Sequence, residues 1–159
     1  MGYIRHQFEA IFNLGLKDES DKDLYHVQVI NLTYTLAILG FGLSALAFAM
    51  NGYWPLLWFH LFMTAICTLG IFWNAKGQHD RAALAFPLFA TGSVLVNTFL
   101  FFGANSHIHW TLAILAVYAF TAFRAQQRLL QVSTVAIAAI VFVVCDVFAS
   151  QDRLFLTSA

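Results

Sequence analysis

Residues 24–75 read LYHVQVINLTYTLAILGFGLSALAFAMNGYWPLLWFHLFMTAICTLGIFWNA, without one Asp, Glu, Lys or Arg. A helix rising 1.5 Å per residue needs about 20 apolar residues to cross a hydrocarbon layer of about 30 Å, and this run is roughly twice as long. It reads as two crossings folded back at Asn51-Gly52, with Pro55 just beyond. Those residue types stop helices and accept the backbone angles of a tight turn. A second uncharged run, 82–123, repeats the pattern about Gly103-Ala104-Asn105-Ser106, and the apolar run 129–149 makes one more crossing.

The expected spans are 27–50, 53–74, 82–102, 107–123 and 129–150, the fourth being the shortest. Strands are excluded because a membrane barrel alternates apolar and polar residues, whereas 37–49, AILGFGLSALAFA, does not. The fold class expected is all-α: a polytopic transmembrane helical bundle of five crossings, led by an N-terminal amphipathic interfacial helix. Residues 1–23 form the amphipathic and charged lead, and 24–159 form a single bundle. The closing stretch 154–159, LFLTSA, reads as the start of a sixth crossing, the alternative being a complete five-helix chain.

Composition agrees with a lipid environment. The 159 residues are 60% hydrophobic and 10% charged, where soluble domains average about 45–50% and 25%. The net charge of zero offers no basic field for nucleic acid. Cys67 and Cys145 both lie in apolar runs and are too few for a disulfide framework.

Charge position sets orientation, because basic residues stay on the cytoplasmic side of short loops. With the N-terminus inside, Arg5, Lys17, Lys22, Lys76, Arg81, Arg124 and Arg128 are all cytoplasmic, and only Arg153 falls outside. The first 23 residues lack the continuous apolar core of a cleavable signal peptide. They carry instead Ile4, Phe8, Ile11 and Phe12 on one helical face and Arg5, His6, Glu9 and Asn13 on the other. That is the pattern of a helix lying on the inner membrane surface. Gly15 is placed to end it, and Ser20 with Asp23 resembles a capping box for the next helix.

Polar side chains inside apolar spans are costly unless they face the bundle interior and find partners. Counted from the outer turns, His60 lies about 12 Å down the second helix, Asn97 about 8 Å down the third and Asp146 about 6 Å down the fifth. His107 and His109 open the fourth helix. An outer pocket bounded by His60, Asn97, His107, His109 and Asp146 is the candidate ligand site. Asp146 is the sole acidic residue within a crossing, with His60 or His107 as its expected partner.

A metal site drawn from His107, His109, His60 and Asp146 meets a geometric objection, since residues two apart on a helix point about 200° apart. Haem needs histidines at matched depth on facing helices, and His26 and His79 lie at the opposite end. No cofactor is expected; haem b or a divalent metal through His60, His107 and His109 is the alternative. Gly40, Gly42, Ser44, Ala45, Ala47 and Ala49 make the outer half of the first helix an association surface, within the bundle or between subunits. No nucleotide loop, His-Glu-x-x-His or nucleophile and base pair is present, so the chain does not read as an enzyme.

Several features along the chain resemble a family. They are the lead from Phe8 to Leu16 containing Gly15, the charged stretch 18–23, Asn31 entering the first helix, Asn74-Ala75-Lys76-Gly77, Gly103-Ala104-Asn105-Ser106-His107, and Arg124 closing the fourth helix. The pattern is similar to the six-helix membrane input domains at the N-termini of bacterial signalling proteins. These include class III adenylate cyclases and histidine kinases, among them quorum-sensing receptor kinases of the CqsS type. The resemblance implies a homodimer in the bacterial inner membrane that receives a lipophilic signal. It also implies a sixth helix leading to a cytoplasmic cyclase or kinase domain, which this chain lacks. A small transporter or membrane-complex subunit is the alternative from another class, and a haem- or metal-binding redox module a third.

Overall fold

The computed structural model describes residues 9–10, 13–15, 21–103 and 108–149. All regular structure among them is helical. The elements are α1 (Asp21–Met50), α2 (Trp54–Ala75), α3 (His79–Val96), a π-helical turn (Asn97–Phe102), a 3-10 turn (Ile108–Thr111), α4 (Leu112–Ala122), a second 3-10 turn (Ala125–Gln127) and α5 (Arg128–Phe148). The apolar stripe of the lead, the Ser20 cap, His107 and the stretch 150–159 lie outside the described residues.

Four helical stretches are long and apolar enough to cross a membrane: Leu24–Met50, Trp54–Ala75, His79–Phe102 and Arg128–Phe148. Ile108–Ala122 is shorter, at about 25 Å if its first turn rises as a 3-10 helix. Helix α1 begins at Asp21, six residues ahead of the expected apolar span and next to the Ser20-to-Asp23 start pattern, and α3 begins at His79 rather than at 82. The apolar run marks only the part of a helix that must avoid water. Acidic first-turn residues, such as Asp80 in α3, suit the positive end of the helix dipole and extend it.

The chain divides into two compact units, Met1–Phe86 and Pro87–Ala159. The boundary falls within α3 at a proline, whose ring removes the N–H that would pair with the carbonyl four residues earlier.

Unit 1 is built on the α1 and α2 hairpin. Both helices end in the same device. At Gly52 (φ 73°), Tyr53 N–H donates to Phe48 O at 2.9 Å and Gly52 N–H to Ala49 O at 3.2 Å. At Gly77 (φ 74°), Gln78 N–H donates to Trp73 O at 2.9 Å and Gly77 N–H to Asn74 O at 3.0 Å. These are the paired bonds of a Schellman motif, which satisfies the last carbonyls and needs a left-handed residue that glycine supplies without strain. Pro55 in the first turn then starts α2, where a missing N–H costs nothing.

The hairpin buries Val27, Ile30, Asn31 and Tyr34 from α1 against Leu56, Met63, Cys67, Gly70 and Asn74 from α2. The Tyr34 ring occupies the space a side chain at Gly70 would take. Its hydroxyl donates to Ala82 O at 2.8 Å, and Phe86 meets the ring edge-on at 5.4 Å between centroids. By contrast, a Cβ at Gly40 or Gly42 would meet nothing within 4 Å. Of the small residues on the half of α1 nearer Asn51, Ala45 is the one buried.

Unit 2 pairs α4 with α5. Leu112, Leu115, Tyr118, Ala119 and Ala122 form the buried stripe of α4, and Thr134, Ala138 and Cys145 that of α5, with Ala149 just past its end. Small residues at this spacing let two backbones approach closely without a hydrophobic drive from water. At the 123–127 end, Gln131 donates to Phe123 O at 3.2 Å, and the Gln127 side chain accepts from Arg124 N–H at 3.0 Å. The outward faces of both units are apolar, including Leu36, Leu43, Met50, Phe62, Val117, Ile140 and Val143.

Candidate functional site

The sequence singles out five residues, which the structure distributes unevenly. His109 and Asp146 meet in unit 2. His109 stands in the 3-10 turn, wholly buried, with Nε2 3.4 Å from Asp146 Oδ1 on α5. That distance is longer than a tight charge-assisted bond of about 2.7–2.9 Å, and the Asp146 side chain keeps 60% of its surface exposed. Phe142, one turn before Asp146, covers the imidazole at 5.1 Å between centroids and meets Trp110 edge-on at 5.3 Å. The arrangement pairs a shielded imidazole with a carboxylate reachable from outside.

Asn97 lies in the same unit, where α3 changes to the π-helical turn. This turn packs against the one carrying His109. The Asn97 amide nitrogen donates to Ser93 O at 2.9 Å. Because that carbonyl can only accept, Oδ1 must point elsewhere. It is buried without a hydrogen-bond partner, an arrangement that costs about 1–3 kcal/mol. The π turn is closed by Gly103 N–H donating to Thr98 O at 2.9 Å, and Gly103 (φ 75°) ends it. π turns are rare and concentrate at functional sites. The Thr98 side chain stands beside the Cys145 thiol, joining the π turn to α5 next to Asp146.

His60 belongs to unit 1. Its Nδ1 lies 2.8 Å from Leu56 O, so Nδ1 carries the proton it donates there. Phe41, Phe48 and Phe59 surround the ring at centroid distances of 5.7, 4.9 and 5.5 Å. These contacts suit an imidazole held as a packed, largely apolar group. His107 lies outside the described residues. Among the described residues, no group of three or more His, Cys, Asp or Glu side chains is placed to hold a metal ion.

Sequence reasoning missed a second polar cluster, at the 76–78 end of unit 1. Asn31 and Asn74 are fully buried and His79 nearly so. Asn74 donates to Asn31 Oδ1 at 2.6 Å and to Val27 O at 3.2 Å, and its own Oδ1 lies 2.6 Å from His79 Nδ1. Asn31 donates in turn to Leu14 O at 3.0 Å. The signal was present: Asn31 and Asn74 stand nearly equal chain distances from the Asn51-Gly52 turn, so an antiparallel hairpin sets them side by side. A search centred on Asn51-Gly52 and Gly103-Ala104-Asn105-Ser106 picks out Asn97 and passes over two asparagines at the opposite helix ends.

Compared with family models, with curated proteins and with solved structures, the chain matches none, so its function is argued from this geometry and from the resemblance in its sequence.

Proposed function

We propose that the chain is a membrane-embedded sensor and anchor. In this reading it pairs with a second copy of itself and passes a signal to a cytoplasmic cyclase or histidine kinase domain. The observation that carries the proposal is the His109–Asp146 pair. Ionisable groups in an apolar helical unit are expensive to keep and mark functional sites by default. Here one is wholly shielded and the other open, which suits reception of a signal better than adhesion between helices. Asn97, with a buried oxygen left unbonded in the same unit, supplies a further polar group that packing does not require.

The finer parts of the proposal are five crossings, with Ile108–Ala122 as the fourth; a cytoplasmic N-terminus in a bacterial inner membrane; and an amphipathic lead on the inner surface. The signal is a lipophilic small molecule from the outer leaflet that meets Asn97, His109 and Asp146. Pairing uses the exposed face of α1, where Gly40 has open space beside it and a second helix can come close.

The test joins the chain, through an added sixth transmembrane helix that returns it to the cytoplasm, to the catalytic domain of a class III cyclase in a bacterial host. His109→Leu and Asp146→Asn are each expected to change cyclic AMP output at unchanged membrane level and unchanged pairing. Unchanged output in both overturns the proposal. One observation favours a second reading, a small transporter: α3 carries Pro87 in its interior and gives way to the π turn at its end, and broken helices line transport sites. Solute uptake by proteoliposomes, lost in Asn97→Leu, would support it.

A further inference from the structure

The buried cluster at the 76–78 end of unit 1 runs in one direction. His79 Nδ1 donates to Asn74 Oδ1, Asn74 Nδ2 to Asn31 Oδ1, and Asn31 Nδ2 to Leu14 O. The direction is fixed at two points by backbone carbonyls, which only accept: Val27 O holds the Asn74 nitrogen in place, and Leu14 O holds that of Asn31. With both amides oriented, the hydrogen on His79 must sit on Nδ1, in the neutral ring and the charged ring alike. Turning any one amide would set oxygen against oxygen. Such chains gain from mutual polarisation and from the low dielectric around them.

The end of the relay is a peptide turn outside the hairpin. Residues 13–15 form a turn whose three members each touch unit 1 differently. Asn13 accepts from Gln28 Nε2 at 3.2 Å, Leu14 presents its carbonyl to Asn31, and Gly15 (φ 90°) lies against α2 and His79. A Cβ on Gly15 would stand 2.5 Å from Asn74 O and 3.1 Å from His79 Cε1. Both the left-handed backbone and the missing side chain are therefore required there. One side-chain contact, one backbone carbonyl and one steric exclusion together make a fit to a particular turn, whereas apolar packing alone would accept many.

We propose that this end of unit 1 is a binding surface for a peptide turn and that its occupant is residues 13–15 of the same chain. In this account the Asn31–Asn74–His79 relay reads the turn through the Leu14 carbonyl, and Gly15 admits it to the surface. The turn acts as a latch that ties the N-terminal segment to α1, α2 and the start of α3, so that segment and helices move as one body. A displacement of the segment is then passed to three helices at once.

The test places a nitroxide spin label at Asn13→Cys in the full chain, with Cys67 and Cys145 replaced by alanine, in lipid nanodiscs, and a second preparation labelled at Asn51→Cys as control; the label gives up the Gln28 contact in parent and variants alike and leaves those of Leu14 and Gly15. Loss of one buried hydrogen bond corresponds to about a tenfold change in the equilibrium between held and free turns. Asn31→Leu, Asn74→Leu and His79→Phe are each expected to raise the mobile population at residue 13 about tenfold, with residue 51 unchanged. His79→Gln, which keeps an N–H donor, should return it to within about twofold of the original chain. Gly15→Ala, which leaves the relay intact, should raise it as well. An unchanged signal at residue 13 in Asn31→Leu and Asn74→Leu overturns the latch. Should Asn74→Leu disturb both labels, Gly15→Ala decides: a raised mobile population at residue 13 supports the latch, and no change overturns it.

Discussion

The 76–78 end of unit 1 and the 97–109 end of unit 2 both bury polar side chains in an apolar chain, and they do so on opposite terms. In the first, Asn74 spends both amide hydrogens and its oxygen on defined partners. In the second, the Asn97 oxygen has no hydrogen-bond partner, the helix departs into a π turn, and His109 faces a carboxylate that stays largely in the open. A satisfied network specifies one arrangement; a partly satisfied one is retained where something other than packing uses it. The comparison separates the polar groups that hold the fold from those proposed to serve the signal.

The largest expected effect comes from breaking the satisfied end. Asn74→Leu removes three hydrogen bonds from a buried cluster. A loss of about 3 kcal/mol or more is expected, read as a lower thermal unfolding midpoint in detergent. Gly70→Ala comes next. Its methyl group would overlap the Tyr34 ring, and overpacking of this kind costs about 1–3 kcal/mol. Tyr34→Phe, which loses only the bond to Ala82 O, should cost about 1 kcal/mol.

Asn97→Leu sharpens the comparison because its expected sign is reversed. The substitution removes the unbonded oxygen together with a bond to Ser93 within the same helix, so stability should hold or rise by up to about 1 kcal/mol. A clear fall would assign Asn97 to the framework. The smallest energetic effect concerns placement in the membrane. Cysteine at Asn105 should react with an impermeant maleimide in intact cells and cysteine at Gln78 should not; the opposite pattern would invert the proposed orientation.

Much of this was legible in the sequence, and the reasons are physical. Long uncharged runs report helix length directly, because hydrocarbon tolerates no unpaired backbone. Asn51-Gly52 and Gly77 reported their turns because a left-handed residue is needed where a helix stops. Mirror positions about the first turn also encode contacts: Tyr34 pairs with Gly70 and Asn31 with Asn74, each at nearly equal distance from Gly52.

The π turn was not legible. Asn97-Thr98-Phe99-Leu100-Phe101-Phe102 is as good an α-helical sequence as its neighbours, and the contact it makes with the turn at 108–111 leaves no mark in its composition. The meeting of His109 with Asp146 was not foreseen as a pair: the sequence placed both at one pocket but offered His60 or His107 as the partner of Asp146, since depth along a helix does not fix rotation about it. The small-residue face of α1 was legible as a surface but not as to its occupant. Among the described residues a Cβ at Gly40 would meet nothing within 4 Å, and the buried small-residue stripe is that of α5.

The central claim is that the unit 1 relay holds the fold while the unit 2 pair serves the signal. It is tested most directly by measuring thermal unfolding and cyclic AMP output together in the cyclase-joined chain, for Asn74→Leu and His109→Leu side by side. The account predicts that His109→Leu changes output with its unfolding midpoint within about 2 °C of the parent, because its partner carboxylate is already solvated, and that Asn74→Leu lowers the midpoint well beyond that range. A His109→Leu variant that unfolds as readily as Asn74→Leu, with output per folded molecule unchanged, would contradict it.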